Sequence, residues 1–417
     1  MKQYPLLHHR AAKVLFALFL TAMLFLSRDT LFSSCLVGFA KSQILMLGLI
    51  ALLGVLFLWA NRKEILQILK DRRTLVLLAS ALVIVFPMVL KRDWQLMYFS
   101  ILLCVLTAVF LTYFTSGREV ARYYVVILVV LGLYSLIATY GLKWPARKEI
   151  LTPPIFYNSN EWEFFNFGFA YVVPASHWYR NFGIFREPGV YQFFVLLAVY
   201  LNNYAVDWDK PWKLWTCNVV LAVTMLSTFA IGGFAELGLF VPFLYIDKKY
   251  YREKWGRIAA VAVILGLFAL VGLMIWRTLQ PFFEHSIFYE IYDMCLRVFT
   301  DSDSATDRMD AIRTNLRFIT GNPLTGDVIA EVLHGTNHNT SSTLLLYAIL
   351  GVVGGTLHVA GWIALVWKRE RNVLGNLILL VIIFLSFNTQ NLVANVFFWL
   401  FPMMALVERG LPLLKKE

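Results

Sequence analysis

Apolar runs of roughly 15 to 20 residues return from one end of this 417-residue chain to the other, and no other feature limits its fold so tightly. A water-soluble fold of this size needs more polar surface than a chain that is 59% apolar supplies. Twelve spans can be drawn, at 14–27, 43–60, 74–90, 95–114, 123–141, 190–206, 213–229, 231–246, 258–279, 341–367, 373–387 and 391–407. Hydrocarbon offers the backbone no hydrogen-bond partner, so each span is expected to be a helix. The expectation is an all-α polytopic membrane protein, a single integral domain over residues 1–417 with about twelve transmembrane helices. The turns at Ile231-Gly232-Gly233 and Asn388-Thr389-Gln390-Asn391 are tight enough that either flanking pair can instead be re-entrant.

The net charge of +11 reads as topology once it is mapped onto these spans. With the N-terminus in the cytoplasm, the cytoplasmic segments hold 23 Lys and Arg against 10 Asp and Glu. The outside and the membrane hold the remaining 14 against 16. Arg62-Lys63, Lys70 to Arg73, Lys248 to Arg257 and Lys368 to Arg371 all fall inside, the positive-inside pattern. A nucleic-acid partner is therefore not expected. Both termini are expected in the cytoplasm. No small-residue cleavage site follows the first span, which reads as a retained helix rather than a signal peptide. Of the four cysteines only Cys35 and Cys295 share the outer side, and they read as isolated small apolar residues or as one disulfide.

Two segments break the rhythm, 142–189 and 280–340, both outside under this topology. Loops of that length without linker composition usually carry function. The first is dense in aromatics (Phe156, Tyr157, Trp162, Phe164, Phe165, Phe167, Tyr171, Trp178, Tyr179). These suit an interfacial belt or a platform for sugar faces. In the second, 286–299 has the spacing of a surface helix. Residues 307–320 predict another, with Met309, Ile312, Leu316 and Ile319 on one apolar stripe, Arg308 at its border and Arg317 pointing away. Asp301-Ser302-Asp303 offers oxygen ligands to a hard cation but reads better as an acidic turn before a helix, so no metal site is expected.

Each loop ends in a polar string set against an apolar span: Arg186-Glu187-Pro188-Gly189 in the first, His338-Asn339 in the second. The stretch Arg180-Asn-Phe-Gly183-Ile-Phe-Arg186-Glu187-Pro188-Gly189 resembles the end of the large outer loop of Wzy-type O-antigen and capsular polysaccharide polymerases. The order Asp307-Arg308, Gly321-Asn-Pro323-Leu-Thr-Gly326, His338-Asn339 and Gly351, Gly354, Gly355 is similar to the region shared by O-antigen polymerases and ligases. The likeness covers roughly residues 170–360. One departure stands out: relatives often carry a Ser-Arg-Thr-Gly-like string after the seventh span, where this chain reads Ser227-Thr228-Phe229-Ala230-Ile231-Gly232-Gly233.

The resemblance implies a GT-C-like fold in a bacterial cytoplasmic (inner) membrane. It implies transfer of a glycan from an undecaprenyl-diphosphate carrier to a sugar hydroxyl, on the periplasmic or outer face and without cofactor. A departing diphosphate needs fixed cations, and the arginine fork binds phosphate oxygens in pairs. Arg180, Arg186, Arg308 and Arg313 are the candidates. His338 is the candidate base for the acceptor hydroxyl, with Glu187 either orienting Arg186 or serving as the base itself. Asn339 flanks His338, and Glu236 is the one carboxylate well inside a predicted span, where an ionisable group defaults to a functional hypothesis. Partners implied are the lipid-linked oligosaccharide, membrane lipids and a polysaccharide chain-length regulator. Ligation to lipid A-core is the alternative with the same chemistry, and a polysaccharide flippase is the alternative from another class.

Overall fold

The computed structural model describes residues 10–60, 62–141, 156–157, 163–167, 170–172, 180–248, 302–335, 339–388 and 390–410. The predicted span at 258–279, the surface helix at 286–299, Cys295 and His338 lie outside the described residues.

Eleven of the twelve apolar runs coincide with described helices. In chain order these are α1 (Arg10–Leu26), α2 (Phe39–Ala60), α4 (Arg72–Leu90), α5 (Leu96–Leu111) and α6 (Gly117–Leu136). They continue with α7 (Pro188–Tyr204), α8 (Pro211–Ser227), α9 (Ile231–Asp247), α12 (Ser342–Val366), α13 (Val373–Phe387) and α14 (Val396–Arg409). The short α3 (Ile65–Leu69) precedes α4, while α10 (Ser302–Gly321) and α11 (Ile329–His334) belong to the second long loop. The helix starts are written in the sequence. Asp71, Ser116, Asn372 and Asn395 each accept a hydrogen bond from a first-turn amide, and α7 and α8 open on Pro188 and Pro211.

Among the described residues four helices are long and apolar enough to cross a membrane: Phe39–Trp59, Arg72–Leu90, Gly117–Gly141 and Ser342–Val366. On α2, Ile44, Leu47, Leu52, Val55 and Trp59 are exposed, and on α4 Leu75, Leu78, Leu82 and Phe86 are too. An apolar outer surface of this extent needs lipid around it. At the centre the arrangement inverts. On α7 every residue from Val190 to Asn203 is buried, and Val396 to Ala405 on α14 are buried as well. The helical reading holds through these elements. The first long loop adds a small antiparallel sheet, β1 (Phe156–Tyr157), β2 (Glu163–Phe167) and β3 (Ala170–Val172). Its register pairs Phe156 with Phe164 and Asn166 with Tyr171.

The fourth of these long helices, α12, is not one rod. Gly351 sits at φ 70°, ψ −174° and breaks it. A Cβ at Gly351 would lie 2.1 Å from the Leu324 carbonyl oxygen, so only glycine fits. Beyond the break the chain bends until Tyr347 of the first half touches Gly355 of the second. The freed backbone groups are taken up by the Pro323–Asp327 turn: Val352 N donates to Pro323 O at 2.7 Å, and Asp327 N donates to Ala348 O at 2.7 Å. Lys91, which caps α4, donates to Asp327 O at 2.8 Å and to Ile349 O at 2.7 Å. Tyr98 also donates to Ile349 O, at 3.1 Å. A broken helix at membrane depth is tolerated where such partners replace the lost ladder. This turn is the Pro323-Leu-Thr-Gly326 string of the sequence, and its place in the fold is to hold the break open.

Candidate active site

The first polar string gains its surroundings from the opposite end of the chain. The turn after α1 lies antiparallel to the segment before α7: Thr30 pairs with Phe185, Leu31 N donates to Ile184 O at 3.0 Å, and Arg186 N donates to Asp29 O at 2.9 Å. Asp29 adopts φ 71°, a costly left-handed conformation for a residue with a side chain. Its carboxylate is thereby set between two guanidinium groups. Asp29 Oδ1 lies 3.9 Å from Arg28 Nε and 3.7 Å from Arg186 Nη2. Glu187 Oε1 lies 3.6 Å from Arg186 Nη2.

Burial divides these groups. The Asp29 side chain is only 7% exposed, whereas Arg186 and Glu187 are 44% and 47% exposed. Asp29 is thus a buried strut, and Arg186 keeps guanidinium surface open to a ligand. Arg28 stacks over Phe39 at 5.7 Å, and among the described residues its Nη1 is buried without a hydrogen bond. Arg28 and Asp29 were not legible as site residues, because they sit in a short loop that carries no motif. The only signal available was a charged pair directly after an apolar span.

Arg180 docks against the C-terminal end of α8, its Nε donating to Thr228 O at 3.3 Å. Next to it Asn181 Nδ2 donates to Ser135 Oγ at 2.9 Å and Ser227 Oγ at 3.0 Å, while Asn181 Oδ1 accepts from Gly183 N at 2.9 Å. Arg180 therefore stands beside Thr228 of the Ser227-to-Gly233 string.

The starts of α7 and α12 are joined by a third segment. A Cβ on Gly189, at the start of α7, would lie 2.4 Å from Gln390 Nε2. The carbonyl of the same Gln390 accepts from Ser342 Oγ at the start of α12, and Leu392 N donates back to Ser342 Oγ at 2.8 Å. Asn388 Oδ1 accepts from Thr343 N at 3.0 Å. The turn between α13 and α14 thus bridges the entries of α7 and α12. Gly189 is needed there for close approach, and Pro188 sets the helix entry.

The remaining candidates divide. Asn339 exchanges two amide hydrogen bonds with Asn315 of α10, at 3.0 and 2.8 Å, both residues buried. It is a tie between α10 and the entry of α12, placed directly after His338. Arg308 lies on α10, its side chain outside what is described. Arg313 is on the same helix, 74% exposed and 3.6 Å from Asp310. The packed face of α10 corrects the expected stripe: Ala311 and Asn315 are fully buried, while Met309 and Leu316 are exposed. The periodicity was read from apolarity, but the helix packs through a small residue and an amide that finds a partner. Arg317 is exposed, as expected.

No known family model matches this chain, and no curated protein matches it either.

Glu236 lies in α9 and is 2% exposed. Gln192 and Ser386 approach it, yet neither carboxylate oxygen, nor Gln192 Nε2, makes a hydrogen bond of normal geometry among the described residues. Polar groups of α9, α7 and α13 are thus gathered inside the bundle at Glu236, Gln192 and Ser386. Burying a carboxylate this way is costly. Among the described residues no His, Cys, Asp or Glu cluster is suited to a metal ion.

Proposed function

We propose that this protein is a polysaccharide polymerase of a bacterial cytoplasmic membrane, with twelve spans in a GT-C-like arrangement and its site on the outer face. The growing glycan on undecaprenyl diphosphate is the donor. The acceptor is the terminal sugar hydroxyl of a new lipid-linked repeat unit. The observation that carries the reading is the meeting of the two motif-bearing helix entries, α7 and α12, at the Gln390 turn.

In the proposed reaction the acceptor oxygen attacks the anomeric carbon from the side opposite the leaving group, inverting it. The bond from that carbon to the diphosphate oxygen breaks, and the electron pair leaves with the lipid diphosphate. Arg186, half exposed and aimed by buried Asp29, binds the departing phosphate oxygens together with Arg180 and Arg308. Arg313 is assigned a lesser part, since it is paired on the exposed side of α10. His338, one residue before the Asn339–Asn315 tie, takes the acceptor proton, and Glu187 is the next candidate for that role.

The test is elongation in vitro. Purified protein in bilayers, given lipid-linked repeat units, is expected to make polymer and release undecaprenyl diphosphate. Transfer to lipid A-core with no elongation would replace the polymerase reading by the ligase one. Movement of intact lipid-linked units across the bilayer with no bond made would replace both.

A further inference from the structure

The opposite end of the bundle carries a second cluster, unrelated to the polar strings. It gathers around Tyr204, the last residue of α7. Asp247 at the end of α9 accepts from Tyr204 Oη at 2.8 Å, from Arg371 Nε at 2.8 Å and from Arg371 Nη2 at 2.9 Å. Arg371 is held further by the Val366 carbonyl and Asn376 Oδ1, at 3.3 and 3.2 Å. The Asp247–Arg371 pair is therefore saturated. Two further cations crowd the same ring: Lys248 Nζ lies 4.5 Å from the Tyr204 centroid, Lys368 Nζ 5.2 Å, and the Arg371 guanidinium carbon 4.9 Å.

The charges do not balance. Lys248 and Lys368 are half buried, and neither has a carboxylate within ion-pair distance among the described residues. Asp247, already paired, and Asp207 act on Lys248 from beyond ion-pair distance, and on Lys368 the pull of Asp247 is outweighed by Lys248, Arg371 and Arg409. Burial, reinforced by these neighbours, pushes the Lys368 ammonium down to about 8. Burial likewise lowers Lys248. A solvated cytoplasmic fringe of lysines would keep its charges apart and in water. Here three cations share one aromatic ring at the rim of the bundle, with one carboxylate already consumed. A basic pocket between helices at the inner surface is the chemistry that holds a phosphate headgroup.

We propose that Lys248 and Lys368 form a binding site for a phosphate-bearing anion at this end of the bundle, an anionic phospholipid headgroup or free phosphate, with the Tyr204 ring as its floor and Arg371 as its fixed wall.

The proposal is independent of the glycan chemistry, and its test needs no turnover. Thermal unfolding of the full chain is compared in nanodiscs of phosphatidylcholine alone and of phosphatidylcholine with phosphatidylglycerol. Lipid affinity is titrated in detergent, with inorganic phosphate as a separate arm. Wild type is expected to melt higher with phosphatidylglycerol. Lys248→Gln/Lys368→Gln should lose that increment and bind phosphatidylglycerol on the order of 30-fold more weakly. Arg62→Gln/Lys63→Gln, which neutralises exposed cations in another turn on the same charged side, should keep it. Stabilisation by phosphate that also displaces the lipid would identify a free anion as occupant; phosphatidylglycerol acting where phosphate does not would identify the lipid. Two results would overturn the site: equal loss in both double variants, or no response of wild type to either phosphatidylglycerol or phosphate.

Discussion

Arg186 has two acidic neighbours, buried Asp29 and exposed Glu187, and is itself half exposed. That arrangement asks for fork geometry, not merely for charge. Arg186→Lys is expected to lower elongation on the order of 100-fold, while Arg317→Lys, at an exposed position stacked on Phe318, should be nearly silent. Equal tolerance at both positions would reduce Arg186 to a lipid-headgroup contact. Asp29→Asn keeps shape but removes the charge that aims two arginines, so it should cost turnover while the protein still inserts and melts normally. His338→Ala should remove elongation by about 100- to 10,000-fold while the donor still binds. Retained activity in His338→Asn would mean a capping residue and would move the base assignment to Glu187. At this scale the sequence pointed to Arg180, Arg186 and Glu187 through their spacing before a helix. It did not point to Arg28 or Asp29, because their partners lie far along the chain and only folding brings them within reach.

At the scale of the element, α12 was legible as apolar and long but not as broken. Gly351, Gly354 and Gly355 were visible, yet nothing in a sequence says which glycine turns to positive φ. That follows from Leu324 lying against Gly351. Gly351→Ala is expected to lower stability by more than about 1 kcal/mol and to release the Pro323–Asp327 turn, seen as new protease sensitivity near Thr325. Lys91 belongs to none of the motifs in the sequence. Burial depresses its ammonium to about 8, below the 10.5 expected unfolded. The unfolded chain therefore holds that proton to higher pH, and stability from this group rises as pH climbs from about 8 to 10.5. Melting measured over that window should climb less steeply in Lys91→Met than in wild type. Parallel slopes would show that Lys91 stays hydrated.

For the whole molecule, the apolar rhythm and the lysine–arginine asymmetry carried most of what was foreseen. Eleven of the predicted runs lie on described helices, since lipid leaves so few ways to satisfy a backbone. Which helices are central was not foreseen. The amides Gln192, Asn202 and Asn203 make α7 less apolar than α2, but only packing reveals that Val190 to Asn203 are buried throughout. Loss of the gene is expected to leave envelope glycan as single repeat units. Polymer accumulating on the lipid carrier instead would favour ligation. Elongation by the purified protein is expected to proceed in excess chelator, because no carboxylate set in the sequence has convincing ligand spacing. Activity lost and then restored by magnesium would return Asp301 and Asp303 to the site.

The bond from Asn395 Nδ2 to the Arg28 carbonyl, 3.0 Å long, joins residues 367 positions apart. The turn that aims Arg186 is thus completed by a segment synthesised long after it. Until that segment is made, the Arg28 carbonyl lacks the Asn395 amide. On the proposed function, a chain truncated before Asn395 is expected to insert and persist but to remain inert, as elongation assays of the truncated protein would show.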